Sequence, residues 1–299
     1  MVVSRVRKSA FVRLFDKTPK GVVCPHFFEL ILSNGCPFDC AYCYLKLTLR
    51  GNSKPTLFTN DWLQVQRELE SIPGGLFSTG ELADSLALPP PLLEPALDYF
   101  RSQWTRYLLL LTKSANVGLL MESLPTNQVI VSFSVNSIPA AVKFEKGAPD
   151  PLRRLEVAQE LKRLGWRVRI RIDPIIIEAG IEPYKVICQK VADVEPELVT
   201  VGSLRQYPGL FRFAAQAPRQ GLVLAWDRRM RYALEQRVAI YRQIAEWLGF
   251  QPGLCKETDE VWEGLGWKFR GCNCTVSNGC NAVASDWGTK ELEAGIAGR

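Results

Sequence analysis

Cys36, Cys40 and Cys43 lie in "SNGCPFDCAYCYLK" with the spacing C-x3-C-x2-C, directly after the apolar stretch "FFELIL". Thiolates are soft ligands, and three at this spacing can hold three corners of a 4Fe-4S cube, leaving the fourth iron open to an outside ligand. The other chemistry open to them is a structural zinc loop completed by a distant residue. A second group, Cys255, Cys272, Cys274 and Cys280, has the spacing C-x16-C-x-C-x5-C in a Gly-rich tail. Four thiolates make a closed site, so the expectations there are a second 4Fe-4S cluster, zinc, or unligated thiols. Cys188 falls in a predicted helix and reads as a small buried hydrophobe, and Cys24 stands alone. His26, the only histidine, reads as a structural residue.

These residues need a frame of elements. The chain has 299 residues, 47% of them apolar, and 37 Lys+Arg against 31 Asp+Glu leave a net charge of +6. That composition excludes disorder as the main theme and predicts one folded domain with an appendage. No apolar run approaches the roughly 18 residues of a membrane span. The basic start "MVVSRVRKSAFVRLFDK" lacks the apolar core of a secretory signal, so a cytoplasmic location without a membrane partner is expected. Nine cysteines in such a chain argue for metal or redox chemistry over a disulfide framework.

Between about residues 25 and 250, six candidate strands ("FFELIL", "GGLFST", "YLLLLT", "VIVSFSV", "RVRIRIDPI" and "ELVTVGS") alternate with helical patterns near 60–71, 92–104, 115–124, 150–164 and 182–193. This is an α/β pattern of repeated β/α units. A last helix is predicted over 228–248. After Gly249 the chain turns rich in Gly, Cys and Trp. The expected organisation is a basic segment over 1–20, a barrel over 21–249 and a Cys-rich C-terminal extension over 250–299.

Ligands in β/α barrels gather at the carboxyl ends of strands, where the Cys36–Cys43 loop falls. Other strand ends there are polar: Thr112, Lys113 and Ser114 after one, and Ser132, Ser134 and Asn136 along one face of another. A cation and small hydroxyls suit a carboxylate and a ribose. In "RVRIRIDPI", Arg167, Arg169 and Arg171 alternate with apolar residues and point inward, which predicts a lumen holding anions or water. Arg171, nearest the carboxyl end, is the favoured site residue, with Asp173 as an internal partner.

The cysteine spacing, with aromatic Tyr42 before the last Cys, resembles the signature of the radical S-adenosylmethionine superfamily. Within it the chain is similar to the spore photoproduct lyase group through "GCPFDCAYCYL", "TKSANV", "VSFSVNS" followed by Glu145, Pro149 and Arg153 or Arg154, then "IDPII", "VGSLR" and "LCKETDEVW". The resemblance implies a partial, open (β/α)6 barrel. It implies a 4Fe-4S cluster whose open iron chelates S-adenosylmethionine and cleaves it to a 5′-deoxyadenosyl radical. It places Lys113, Ser134 and Asn136 near S-adenosylmethionine and makes Gly80-Glu81 the counterpart of a Gly-Gly-Glu element that binds the methionine amino group. The group takes its hydrogen-atom donor from a cysteine after the second strand, and "FSTGELADSLAL" has none. Tyr207, after the sixth strand, is the candidate relay.

The leading expectation is therefore a lyase-like radical enzyme acting on nucleic acid, with basic segments such as "SRVRKSAFVR" and "DRRMRYALEQR" touching phosphates. Its electron would come from an external donor such as flavodoxin or ferredoxin. The alternatives are a radical enzyme for a peptide or small metabolite that uses the second cluster, and a non-catalytic metal-stabilised binding or redox sensor protein.

Overall fold

The computed structural model describes residues 2–52 and 54–276. Eight strands form one curled sheet: β1 (Val12–Phe15), β2 (Phe27–Leu30), β3 (Gly75–Ser78), β4 (Arg106–Thr112), β5 (Val129–Val135), β6 (Arg167–Ile175), β7 (Leu198–Ser203) and β8 (Gly253–Leu254). Their spatial order follows the chain from β1 to β8, and the two edge strands do not pair with each other, so the barrel is open. All neighbours from β2 to β8 run parallel, while β1 pairs antiparallel with β2. The six expected strands are β2 to β7, and the fold is the partial α/β barrel that their pattern predicts.

The central strands read as apolar runs because both faces are covered. Every residue of Val129–Val135 is buried. Helices Trp62–Glu70, Leu93–Arg101, Pro151–Arg163 and Tyr184–Val194 cover the outside. Their starts are written locally: Asp61 and Asp150 accept from the backbone N–H two residues on, and Pro151 occupies the first turn where its missing donor costs nothing.

Two predicted helices are shorter than their periodicity suggests. The helix expected over 115–124 is Gly118–Met121. Ser114 Oγ accepts from Asn116 N at 2.9 Å, a local turn that competes with helix, and Pro125 disfavours helical geometry at Leu124. The helix expected from 228 begins at Leu234, and Met230–Tyr232 is instead a strand paired with Leu222–Leu224 and Arg205–Gln206. Asp227 builds that hairpin by accepting from Arg229 N at 3.2 Å and from Arg231 Nη2 at 2.7 Å, with Arg228 in the left-handed region at φ 60°.

Beyond Gly249 the chain returns to the barrel. β8 extends the sheet beside β7, and Glu257–Thr258 pairs antiparallel with Val22–Val23. Residues 272–275 then enter the lumen. Asn273 is 1% exposed, its Oδ1 accepts from Ser132 Oγ at 2.6 Å, and its carbonyl accepts from Arg169 Nη1 at 2.8 Å.

Candidate functional site

Sheet register decides which inward residues meet solvent space. Ser132 and Arg169 are paired neighbours on β5 and β6, and Ser134 and Arg171 are the next inward pair. Thr200 of β7 continues the second row beside Arg171. The first row is closed by the returning tail, and Arg169 also donates to Glu197, which Arg167 Nη2 contacts at 2.5 Å. The groups that meet Arg167 and Arg169 are the chain's own Glu197 and carbonyls, which leaves Arg171, the favoured residue of the three, on the cavity. Ser134, Arg171 and Thr200 line a cavity of about 640 Å³, within the range of cofactor pockets.

Cys36, Cys40 and Cys43 line the same cavity and are free thiols. Their loop is clipped in place by Asp39–Cys40, which pairs antiparallel with Glu145–Lys146 so that Cys40 faces Glu145 in register. Ala41 N donates to Phe144 O at 2.8 Å and continues that clip. Burial pushes the Cys36 thiol up to about 12, with the Asp84 carboxylate adding to it. Burial also raises Cys40, followed by the charge of Glu145, and burial is the main cause that raises Cys43. All three are protonated at neutral pH until a thiophilic cation displaces the protons.

The residues present fit a 4Fe-4S cluster with a bound co-substrate. Three thiols reach the cavity from one loop, while Thr200 Oγ1 and Arg171 Nε are buried on its wall without hydrogen-bond partners among the described residues. Among the described residues no three Cys, His, Asp or Glu side chains close on a single ion.

Behind the loop, Glu145 is 3% exposed and gathers donors from four elements. Tyr42 Oη donates to it, Asn136 Nδ2 donates at 3.2 Å, Arg154 Nη2 pairs at 2.6 Å and Lys113 Nζ lies 3.7 Å away. Burial alone raises its carboxyl, but Lys113 and then Arg154 more than offset this and hold it below the usual value. Asp84 does similar work at the next strand ends. Its Oδ1 accepts from Thr112 Oγ1 at 2.6 Å and its Oδ2 from Lys113 N at 2.6 Å, which fixes where Lys113 leaves β4.

Tyr42, Glu81, Lys113, Ser134, Arg171 and Tyr207 all border the cavity with the three loop cysteines. Lys113 Nζ sits 5.8 Å from the Tyr42 ring centre, and Arg229 Nη2 donates to Tyr207 Oη at 3.2 Å. Asn136 does not line the cavity. It is fully buried, accepting from Tyr184 Oη and Ser137 N and donating to Glu145. Cys255, Cys272 and Cys274 line the same cavity, whereas Cys280 lies outside the described residues.

Sequence reasoning passed over Asp84, Arg205 and Cys24, which also border the cavity. Asp84 had a legible signal, an acid three residues after Glu81 at a strand end. Arg205 had one in "VGSLR", because it leaves the last long strand with a guanidinium that meets Asp173 at 3.0 Å.

No family model and no curated protein sequence matches the chain. Among solved structures, a spore photoproduct lyase variant with bound AdoMet and dinucleoside spore photoproduct superposes with a TM-score of 0.70 at 20% identity, covering 85% of this chain and 80% of that one. The lyase complexed with dinucleoside spore photoproduct gives 0.68 at 18% identity over the same shares. Streptococcus suis SuiB bound to precursor peptide SuiA gives 0.53 at 12% identity, covering 79% of this chain and 49% of SuiB. The fold is thus an open α/β barrel. It is shared with spore photoproduct lyase over most of the chain. No helix among the described residues is long and apolar enough to cross a membrane.

Proposed function

We propose that this chain is a radical S-adenosylmethionine enzyme, lyase-like, that abstracts hydrogen from a nucleic-acid substrate. The observation that carries the reading is the meeting of Cys36, Cys40 and Cys43 with Glu81, Lys113, Ser134 and Arg171 on one cavity at the carboxyl ends of parallel strands. When bound at the three thiolates, the cluster supplies the electron that cleaves S-adenosylmethionine to the 5′-deoxyadenosyl radical. The chain's own residues position and shield that chemistry. Lys113 is aimed by Asp84 and offers a cation to the methionine carboxylate, while Glu81 offers an acceptor to its amino group. Ser134 and Thr200 offer hydroxyls and Arg171 a further donor along one row of the wall. An external donor such as flavodoxin or ferredoxin supplies the electron, and the cytoplasm is the compartment that suits thiols kept reduced.

Nucleic acid is favoured by the hairpin beside Tyr207 and Arg229. Val223 and Leu224 are exposed along one of its strands and Arg228 at its turn, and apolar side chains flanked by cations are the means by which proteins part stacked bases. The phosphate role expected of "DRRMRYALEQR" narrows accordingly, because Arg231 and Arg237 are buried against Asp227 and Glu257. A second reading, a peptide or small-metabolite substrate, is favoured by the three tail cysteines on the same cavity.

The test is anisotropy of the reconstituted protein with intact and ultraviolet-irradiated oligonucleotides at low salt, followed by product analysis. The proposal expects binding that weakens steeply with salt and a changed photoproduct. Undetectable binding at low salt would overturn the nucleic-acid substrate and turn the search to peptides.

A further inference from the structure

Four thiols outside the Cys36–Cys43 loop are drawn to one wall of the cavity: Cys24, Cys255, Cys272 and Cys274. Strand pairing explains how. Val23 pairs with Glu257, so one step along the same antiparallel pair Cys24 falls opposite Lys256, beside Cys255. Cys255 is delivered by β8 and donates its N–H to Val201 O at 2.8 Å. The chain then returns over Gly253, where Gly271 O and Cys272 Cα lie 2.5 and 3.2 Å from the place a Cβ would occupy. Only glycine permits that approach.

The Cys272–Cys274 segment is pinned in place. Thr275 Oγ1 accepts from Cys272 N at 3.0 Å, and Arg169 Nη1 donates to Asn273 O at 2.8 Å and to Thr275 O at 2.6 Å. Cys274 follows two residues on and borders the cavity with Cys272.

The wall is also cationic. Arg171 Nη2 and Arg205 Nη2 donate to Cys255 Sγ at 3.4 and 3.1 Å. Asp173 holds both guanidiniums from behind, accepting from Arg205 at 3.0 and 3.1 Å. Arg171 Nε remains buried and unpartnered among the described residues. Two guanidiniums on one sulfur, one of them with a spare donor, suit an occupant of net negative charge, as four thiolates around a metal centre are.

We propose that Cys24, Cys255, Cys272 and Cys274 hold an iron–sulfur cluster, with Cys24 rather than Cys280 as the fourth ligand. A cluster is chosen over zinc because the four thiols border a cavity of about 640 Å³, which leaves room for a cube, whereas a structural zinc ion is closed in tightly by its four ligands. Cys24 carries no signal in the spacing of the tail cysteines. It joins them only because the chain's start and end pair as strands.

The test uses the full chain, reconstituted anaerobically with ferrous iron and sulfide. Iron, sulfide and zinc are counted, and the reduced protein is examined by electron paramagnetic resonance. The proposal expects about eight irons in the native chain and about four with Cys36, Cys40 and Cys43 all changed to Ala. It expects a changed electron paramagnetic resonance signal of the second cluster in Cys24→Ser, with iron kept or lost, and about eight irons with an unchanged signal in Cys280→Ser. Circular dichroism of the apoprotein checks that Cys24→Ser folds. Cys24→Ala on the triple-alanine background gives a second reading, in which the signal of the remaining cluster changes or is lost.

Zinc without sulfide in the triple-alanine protein overturns the proposal, and so does loss of the second cluster in Cys280→Ser with retention in Cys24→Ser. Failure of the Cys36–Cys43 reading looks different. There, changing those three to Ala leaves the iron count of the native chain untouched.

Discussion

Replacing Glu145 tests whether a buried charge holds the cysteine loop to the barrel. Glu145 and Arg154 have side chains 1% and 0% exposed and pair at 2.6 Å, with Tyr42, Asn136 and Lys113 converging on the same carboxylate. Glu145→Ala leaves an uncompensated guanidinium and ammonium in that pocket, which costs about 3–5 kcal/mol, with roughly 1 kcal/mol more for each neutral donor stranded. A domain of this kind has about 5–15 kcal/mol in total, so the variant should be close to unfolding. Glu145→Gln keeps an acceptor for Tyr42 and Asn136 but turns an amide donor toward Arg154, so about 3 kcal/mol is expected. Arg154→Met alone should cost about as much. The double variant Glu145→Gln/Arg154→Met should lose clearly less than the sum, since an apolar side chain then covers a neutral amide. The assay is urea unfolding of the apoprotein across this cycle. Additivity of the single effects within about 0.5 kcal/mol would refute the ion-pair argument. A parallel readout is the rate at which Cys40 reacts with a thiol reagent, which should rise in Glu145→Gln because Cys40 is clipped to Glu145 by strand pairing.

Three further outcomes follow from the same geometry. Gly80→Ala sets a Cβ 2.4 Å from Leu111 Cβ and should destabilise by about 1–3 kcal/mol, read as a melting temperature several degrees lower; an unchanged melt contradicts the close approach. Asp227 is held below its usual 3.8 because Arg231 outweighs burial, so its contribution is complete above pH 3.8 and is lost as pH falls through the depressed folded value. Asp227→Asn should therefore cost about 3 kcal/mol at pH 7, with the gap from native narrowing in acid urea titrations, and a pH-independent gap refutes it. Lys113→Met removes the cation aimed by Asp84 and should weaken S-adenosylmethionine binding about 10- to 100-fold by calorimetry, a loss that Lys113→Arg partly restores.

Much of the frame was legible because its signals are local. Alternating apolar runs and helical periods mark β2 to β7, and C-x3-C-x2-C marks the loop whose three thiols reach the cavity. The losses are long-range. The partners of Arg167 and Arg169 could not be read, because Glu197, some thirty residues on, and the carbonyls of Asn273 and Thr275 are not deducible from the strand itself. Asn136 alternates correctly with Ser134, yet it lies just past the last residue of β5, where the chain turns and buries its amide behind Glu145. The hairpin at Met230 overrode a helical period through one acid, Asp227, and one left-handed residue, Arg228. Cys24 joins the tail cysteines only through a two-residue strand pair, too short to be read from periodicity.

The central claim is that Cys36, Cys40 and Cys43 support S-adenosylmethionine chemistry. Its most direct test is 5′-deoxyadenosine formation by anaerobically reconstituted protein given dithionite and S-adenosylmethionine, beside the chain with those three cysteines changed to Ala. The account predicts 5′-deoxyadenosine from the native chain and none from the triple variant, even if the latter keeps iron at the tail thiols. Equal amounts from both, or none from a native chain that holds its full iron, would contradict it.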